Sequence, residues 1–229
     1  MDYAFLSGTR LFRGTAPQEI EAMLSCLAAR EKHFAKNEVI YEAGEAVTSL
    51  GVVLAGSVTI ENDDVWGNRS ILDDARPGDV FAETYACVPG EPMMVRVVAA
   101  EPTDVLFLDT QHLLHMCART CAYHAQLISN LLMISAQKNL NLSRRIFHTS
   151  SKSIRGRVLS YLSYQALRSG SRTFAIPFNR QQLADYLSVD RSALSNELGK
   201  MQKDGLLTVQ KNRFTLFADE DAFPARESL

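Results

Sequence analysis

The chain has 229 residues, 46% hydrophobic and 22% charged, with a formal net charge of −2, which describes a globular protein long for one core and comfortable for two. No apolar run approaches the roughly 18 to 20 residues of a membrane span, and the amino terminus lacks the basic stretch, apolar core and small-residue cleavage site of a secretory leader, so a cytoplasmic chain with no membrane partner is expected. Cys26, Cys87, Cys117 and Cys121 form no CxxC pair and are too few for a disulfide framework, which fits reduced thiols.

Between Ala16 and Arg30 the apolar residues Ile20, Met23, Leu24 and Leu27 recur at helical spacing behind Pro17, which predicts a short amphipathic helix. Beyond His33 come short β-rich pieces: Val39 to Tyr41, Ser49 to Leu54, Ser57 to Glu61, Arg69 to Leu72, Asp79 to Phe81, Met94 to Ala99 and Thr103 to Leu108. Strands of this length with Gly, Pro and Asp turns at short intervals predict a small antiparallel barrel or roll whose interior can hold a ligand.

From Thr110 to Arg155 there is neither Gly nor Pro. Ile128, Leu132, Ser135, Asn139, Leu142 and Ile146 follow alternating steps of four and three, the seam of a long helix that can pair with its copy in a second chain. The same stripe would also suit packing on the chain's own roll. Leu127, Leu131 and Ile134 form a neighbouring stripe, so one face can serve each purpose.

Three further helical patterns follow, Ser153 to Leu167, Asn179 to Leu187 and Arg191 to Lys203, and then two short strands, Leu206 to Val209 and Arg213 to Phe217, flanking Lys211-Asn212. The pair at 179–203 reads as a helix-turn-helix. Leu183, Ala184 and Leu187 face inward on its first helix, Val189 plugs the turn, and Leu194, Leu198 and Met201 bury the second, which Asp190 is suited to cap. Arg191, Ser192, Ser195 and Asn196 are then left outward near the start of the second helix, where side chains reach base edges in a major groove. Lys200, Lys203, Lys211 and Arg213 fall where phosphate contacts are expected, and Arg180 is free to reach the backbone beside a cap at Asn179.

Charge agrees with that placement. Residues 1–150 carry 12 Lys and Arg against 18 Asp and Glu, residues 151–217 carry 11 against 4, and residues 218–229 carry 1 against 4. An acidic front and a basic back raise the expectation of a polyanionic partner for the back.

The strings KNEVIYEAGE (36–45), VVLAGSVTI (52–60), PGDVFAE (77–83) and RQQLADYLSVDRSALSNELGKMQKDGLL (180–207), in the order short helix, β-roll, long helix and winged helix-turn-helix, resemble the Crp/Fnr family of bacterial transcription regulators. The resemblance covers nearly the whole chain and is most specific at 180–207. It implies an α+β architecture: an effector-sensing, jelly-roll-like β-roll with its N-terminal helix at 1–110, a dimerisation helix and linker at 111–149, a winged helix-turn-helix DNA-binding domain at 150–218 and an acidic tail at 219–229. It further implies a homodimer on a palindromic promoter site in double-stranded DNA, with RNA polymerase as a partner. Where family members often carry Arg after the recognition Ser, this chain has Asn196, and since Asn suits adenine better than guanine a changed half-site is expected.

Members that bind cyclic AMP carry a Glu on a Gly-Glu-Leu-Gly turn and an Arg on a following Arg-Ser. Here the turn reads Ala82-Glu83-Thr84-Tyr85, and the Arg-Ser positions fall on Met93-Met94. A thioether cannot neutralise a phosphate. Arg96, at an odd offset along a strand, is expected on the other face. The Thr-Ser pair that meets adenine matches Leu142-Ser143. The expected effector is therefore a small molecule other than cyclic AMP in a largely apolar pocket of Glu83, Thr84, Tyr85, Met93, Met94, Leu142 and Ser143, although these residues also suit simple filling of the roll.

No cofactor is identified and no metal site is assigned. The amino-terminal cysteine cluster of iron–sulfur members is missing. Cys117 and Cys121, one helical turn apart with His115 and His124 nearby, suit packed thiols and surface histidines better than a metal or redox site. A haem or redox sensor using the same roll, or a ligand-binding module controlling another protein, are the alternative readings. No phosphate loop, HExxH or GxSxG points to an enzyme.

Overall fold

The structure is a computed structural model that describes residues 1–63, 69–114 and 122–217. It divides into two compact units, Met1–Gln137 and Lys138–Leu229. The division falls within the long helix at 122–149.

The first unit opens with a helix absent from the sequence expectations, α1 (Tyr3–Gly8), whose N-cap Asp2 accepts the Phe5 N–H at 2.9 Å. α2 (Pro17–Cys26) follows, with Pro17 in the first turn and Ile20, Met23 and Leu24 buried. It is shorter than expected. The chain turns at Ala28, with φ +47°, and Arg30 is already in a strand.

That strand, β1 (Arg30–Phe34), joins β8 (Thr103–Asp109), β3 (Ser49–Ala55) and β6 (Val80–Phe81) in one antiparallel sheet of order β1-β8-β3-β6. The second sheet has the order β2-β7-β4-β5, from β2 (Val39–Tyr41), β7 (Arg96–Ala99), β4 (Val58–Asp63) and β5 (Arg69–Ala75). Val52, Phe81 and Leu106 of the first sheet share one core with Val58, Val97 and Ala99 of the second, which is the expected roll. β3 is buried over most of its length, and at Gly51 a Cβ would collide with the Phe81 ring.

A four-residue helix, α3 (Glu83–Ala86), follows Ala82 in left-handed conformation. α4 (Thr110–Leu114) leaves β8, with the Thr110 hydroxyl donating to the Thr48 carbonyl at 2.9 Å. In α5 (Ala122–Thr149), Leu127 and Leu131 enter the roll's core. Buried Asn130 donates to the carbonyls of Leu11 and Arg13, both at 2.8 Å, tying the helix to the segment after α1. No helix among the described residues is long and apolar enough to cross a membrane.

The second unit packs α6 (Ile154–Ser169), α7 (Arg180–Leu187) and α8 (Arg191–Lys203) on a three-stranded sheet of order β10-β11-β9, formed by β9 (Thr173–Ala175), β10 (Leu207–Gln210) and β11 (Arg213–Leu216). β9 was not foreseen, since three residues carry no readable alternation. The core combines Leu162, Leu183, Ala184, Leu187, Leu194, Leu198 and Met201 with Tyr161, Phe174 and Phe214. This is the winged helix-turn-helix expected from the sequence.

Candidate nucleic-acid interface

Local chemistry fixes both ends of the helix-turn-helix. At the start of α7 the Asn179 carboxamide accepts the Gln182 N–H and the Gln182 side chain accepts the Asn179 N–H, each at 2.9 Å. α7 ends at Ser188 in left-handed conformation, so the chain turns within three residues into α8. Asp190 caps α8, accepting the Ala193 N–H at 2.8 Å and the Ser192 hydroxyl. Those hydrogen bonds hold its carboxyl below the usual range, which keeps a negative charge at the positive end of the helix.

With Leu194, Leu198 and Met201 buried, the other side of α8 presents Arg191, Ser192, Ser195 and Asn196, all exposed. The Ser195 hydroxyl donates to the Arg191 carbonyl at 2.9 Å. With the Ser192 donor on Asp190, both hydroxyls are oriented with lone pairs left to accept. Arg180 is half-buried at the head of α7. Burial first, and the positive charge of Arg191 second, push its guanidinium down from its usual range, a like-charge proximity that a polyanion would relieve. Lys200, Lys203, Lys211 and Arg213 are exposed. Lys211 sits at the wing tip with φ +56°, and the neighbouring Asn212 side chain anchors the tip by donating to the Ile176 carbonyl at 2.9 Å.

Three arginines are turned to structural use, two of them, Arg155 and Arg157, from the basic segment 151–217. Arg155 pairs with Glu197 at 2.6 Å and Asp204 at 2.7 Å, pinning α6 to α8. Arg157 donates to the carbonyls of Ser151, Leu187 and Ser188 at 2.9, 3.1 and 2.9 Å. Arg145 donates to those of Asp185 and Tyr186 at 3.2 and 3.3 Å. The last two satisfy the open carbonyls at the end of α7 and place positive charge at its negative pole. Apart from Ser151, six residues from Arg157, these partners lie 30 or more residues away in sequence, and no local pattern marks them.

The expected effector residues of the roll do not share one environment. Glu83 and Met93 are buried, Tyr85 is half-buried, and Thr84 and Met94 are exposed, Met94 to 75%. The Tyr85 hydroxyl oxygen accepts the Met94 N–H at 3.4 Å. Leu142 and Ser143 belong to the second unit, both exposed, with the Ser143 hydroxyl donating to Asn139 at 3.2 Å. Arg96 is held by Glu61 at 3.1 Å and Asp63 at 3.3 Å, with Glu61 buried. Burial, then the Glu83 charge, pushes the Cys87 thiol up, away from the thiolate that redox chemistry needs.

Along α5, Leu132, Leu142 and Ile146 are 61–69% exposed and Asn139 is exposed, Ile128 and Ser135 are half-buried, and Leu127 and Leu131 are buried. His115, Cys117 and Cys121 lie outside the described residues. His124, expected on the surface, is instead buried, with neither ring nitrogen hydrogen-bonded among the described residues. No group of three or more potential metal ligands occurs among those residues.

Residues 31–120 match the cyclic nucleotide-binding domain family, and residues 156–222 match the Crp-like helix-turn-helix domain family. The anaerobic regulatory protein of Pasteurella multocida is 23% identical over 216 residues, covering 87% of this chain and 72% of that protein. The cyclic AMP receptor protein of Thermus thermophilus is 24% identical over 202 residues, covering 88% and 89%. The solved structure of OCPA-complexed CprK shares the fold, with a TM-score of 0.61 at 16% identity over 86% of this chain and 91% of that one. With the two domain families spanning more than half of the sequence in this order, the chain belongs to the Crp/Fnr family of DNA-binding transcription regulators.

Proposed function

We propose that the protein acts as a homodimer that reads a palindromic site in double-stranded DNA, with α8 in the major groove, and answers to a small effector other than cyclic AMP in the roll. The observation that carries the DNA reading is the outward row Arg191, Ser192, Ser195 and Asn196 on a helix whose other side is buried. Arg191 and Asn196 read bases, Ser192 and Ser195 assist, and Arg180, Lys200, Lys211 and Arg213 contact phosphates. The stripe from Ile128 to Ile146, with Leu132, Leu142 and Ile146 exposed, supports pairing of two chains through α5.

Two features support an effector other than cyclic AMP. The position expected to neutralise a cyclic phosphate holds Met93, buried among apolar side chains, and Arg96 is already paired with two carboxylates. The decisive experiment is fluorescence anisotropy on DNA selected from a random pool. Arg191→Ala should weaken binding by about 1–3 kcal/mol and relax discrimination at one base position of each half-site. Lys211→Ala should weaken all sequences alike and lower the salt slope by about 1. Identical behaviour of the two variants would refute these roles, and a large thermal shift with cyclic AMP alone would refute the effector reading.

A further inference from the structure

In the second unit a cavity of about 300 Å³ opens between α6, α7 and the end of α5, apart from the face that α8 offers to DNA. Its walls are the rings of Tyr161, Tyr164, Phe178 and Tyr186. Tyr161 stacks on Phe178 at 5.9 Å, and Phe178 lies 5.1 Å from Tyr186. Tyr164, Phe178 and Tyr186 are half-buried, so aromatic surface is left open to the cavity, whereas Phe174 and Phe214 are buried in the unit's core.

The polar lining has a single sign. Arg144 and Arg168 contribute guanidinium groups, Asn141 and Gln165 contribute carboxamides, and among the described residues no carboxylate lines the cavity. Arg144 lies 5.8 Å from the Tyr164 ring centroid and donates to Asn141 at 3.2 Å, which orients it along the wall. The Tyr161 hydroxyl is buried beside Gln165 and makes no well-formed hydrogen bond among the described residues. Stacking faces favour a planar ring, two guanidinium groups repel a cation and attract an anion, and the volume admits one or two fused rings.

We propose that this cavity is a second ligand site, for a planar aromatic carboxylate that stacks on Tyr164, Phe178 and Tyr186 and is held by Arg144 and Arg168. The site is independent of whatever the roll binds. A ligand there would touch α7 close to the end that Arg145 and Arg157 secure, and so would bear directly on the helix-turn-helix.

The test uses the full-length protein and four probes of related shape, 1-naphthoate, 1-naphthylmethanol, 1-naphthylmethylamine and cyclohexanecarboxylate, measured by calorimetry and ligand-observed NMR. Saturable binding of 1-naphthoate is expected with Kd below about 1 mM, with the alcohol and the non-aromatic acid at least roughly tenfold weaker and the amine silent. Arg168 is exposed, so Arg168→Gln should fold normally and weaken 1-naphthoate roughly tenfold, as should Arg144→Gln. Nuclear Overhauser contacts should run from the naphthyl protons to Tyr164 and Phe178. The proposal is overturned by the lack of saturable binding, by equal binding of the amine, or by unchanged affinity in both arginine variants.

Discussion

The roll and the winged helix treat their polar chemistry in opposite ways. In the roll the groups of most interest are inside: Glu61, Glu83 and Thr110 are buried, Arg96 is held between carboxylates at 19% exposure, and Met93 belongs to the hydrophobic core. In the winged helix the base-reading candidates Arg191, Ser192, Ser195 and Asn196 are outside, and the core beneath them is fastened by capped helix ends and arginine-to-carbonyl bonds. A side chain buried in a roll serves packing and ligand binding with the same chemistry. An exposed polar row on a helix whose apolar side is already used has no packing role to explain it. The winged helix therefore discloses its partner, whereas the roll conceals its own.

The sharpest way to break this comparison is to damage each core separately. Leu198→Ala removes a buried side chain behind the recognition row and should cost the winged helix about 2–5 kcal/mol, abolishing DNA binding at moderate temperature while the roll still melts where it did. Gly51→Ala forces a Cβ into the Phe81 ring and should cost the roll about 1–3 kcal/mol, leaving DNA affinity of the folded protein intact. Calorimetry paired with anisotropy checks both, and loss of DNA affinity in folded Gly51→Ala would show that the units do not divide the work this way.

The same asymmetry decided what the sequence disclosed. The helix-turn-helix was legible because Leu183, Ala184, Leu187, Leu194, Leu198 and Met201 mark one side at helical spacing, with Asn179 and Asp190 as caps in the expected places. The strands of the roll were legible from turn residues. β1 was not, because Arg30 to His33 are exposed and polar and are held in the sheet by pairing with β8. The partnership of Arg96 with Glu61 comes from the β4–β7 register, which no local pattern encodes. Arg155 and Arg157 were legible only as charge, and their partners required the tertiary fold. Buried His124 defeated a surface expectation for the same reason.

A smaller effect sharpens the role of the fastenings. Arg157→Ala leaves the Ser151, Leu187 and Ser188 carbonyls to water and should cost about 1–2 kcal/mol, with DNA binding weakened several-fold because the turn before α8 loosens. Arg157→Lys should recover only part of this, since an ammonium cannot span three carbonyls as a planar guanidinium does. A salt slope unchanged in both variants would set Arg157 apart from the phosphate-contacting residues.

The smallest expected effect is a dependence on pH placed in the winged-helix unit. His148 is buried against Tyr161, Tyr164 and Tyr186, with its Nδ1 3.1 Å from the Ser160 hydroxyl, and burial lowers its pKa from the ordinary 6.5. In the unfolded chain the imidazole takes up a proton as pH falls through 6.5, whereas in the folded unit it stays neutral until a lower pH. The stability tied to this group is thus complete above 6.5 and is lost on acidification through the window below it, with a slope of at most about 1.4 kcal/mol per pH unit. His148→Phe keeps a ring among the tyrosines and removes the proton, so its melting temperature should fall less than that of the parent between about pH 7 and pH 5.5. The difference should appear in the winged-helix transition and be absent from that of the roll. Parallel pH profiles for parent and variant would mean that the aromatic cluster tolerates the imidazolium, as cation–π contact with three tyrosines would allow.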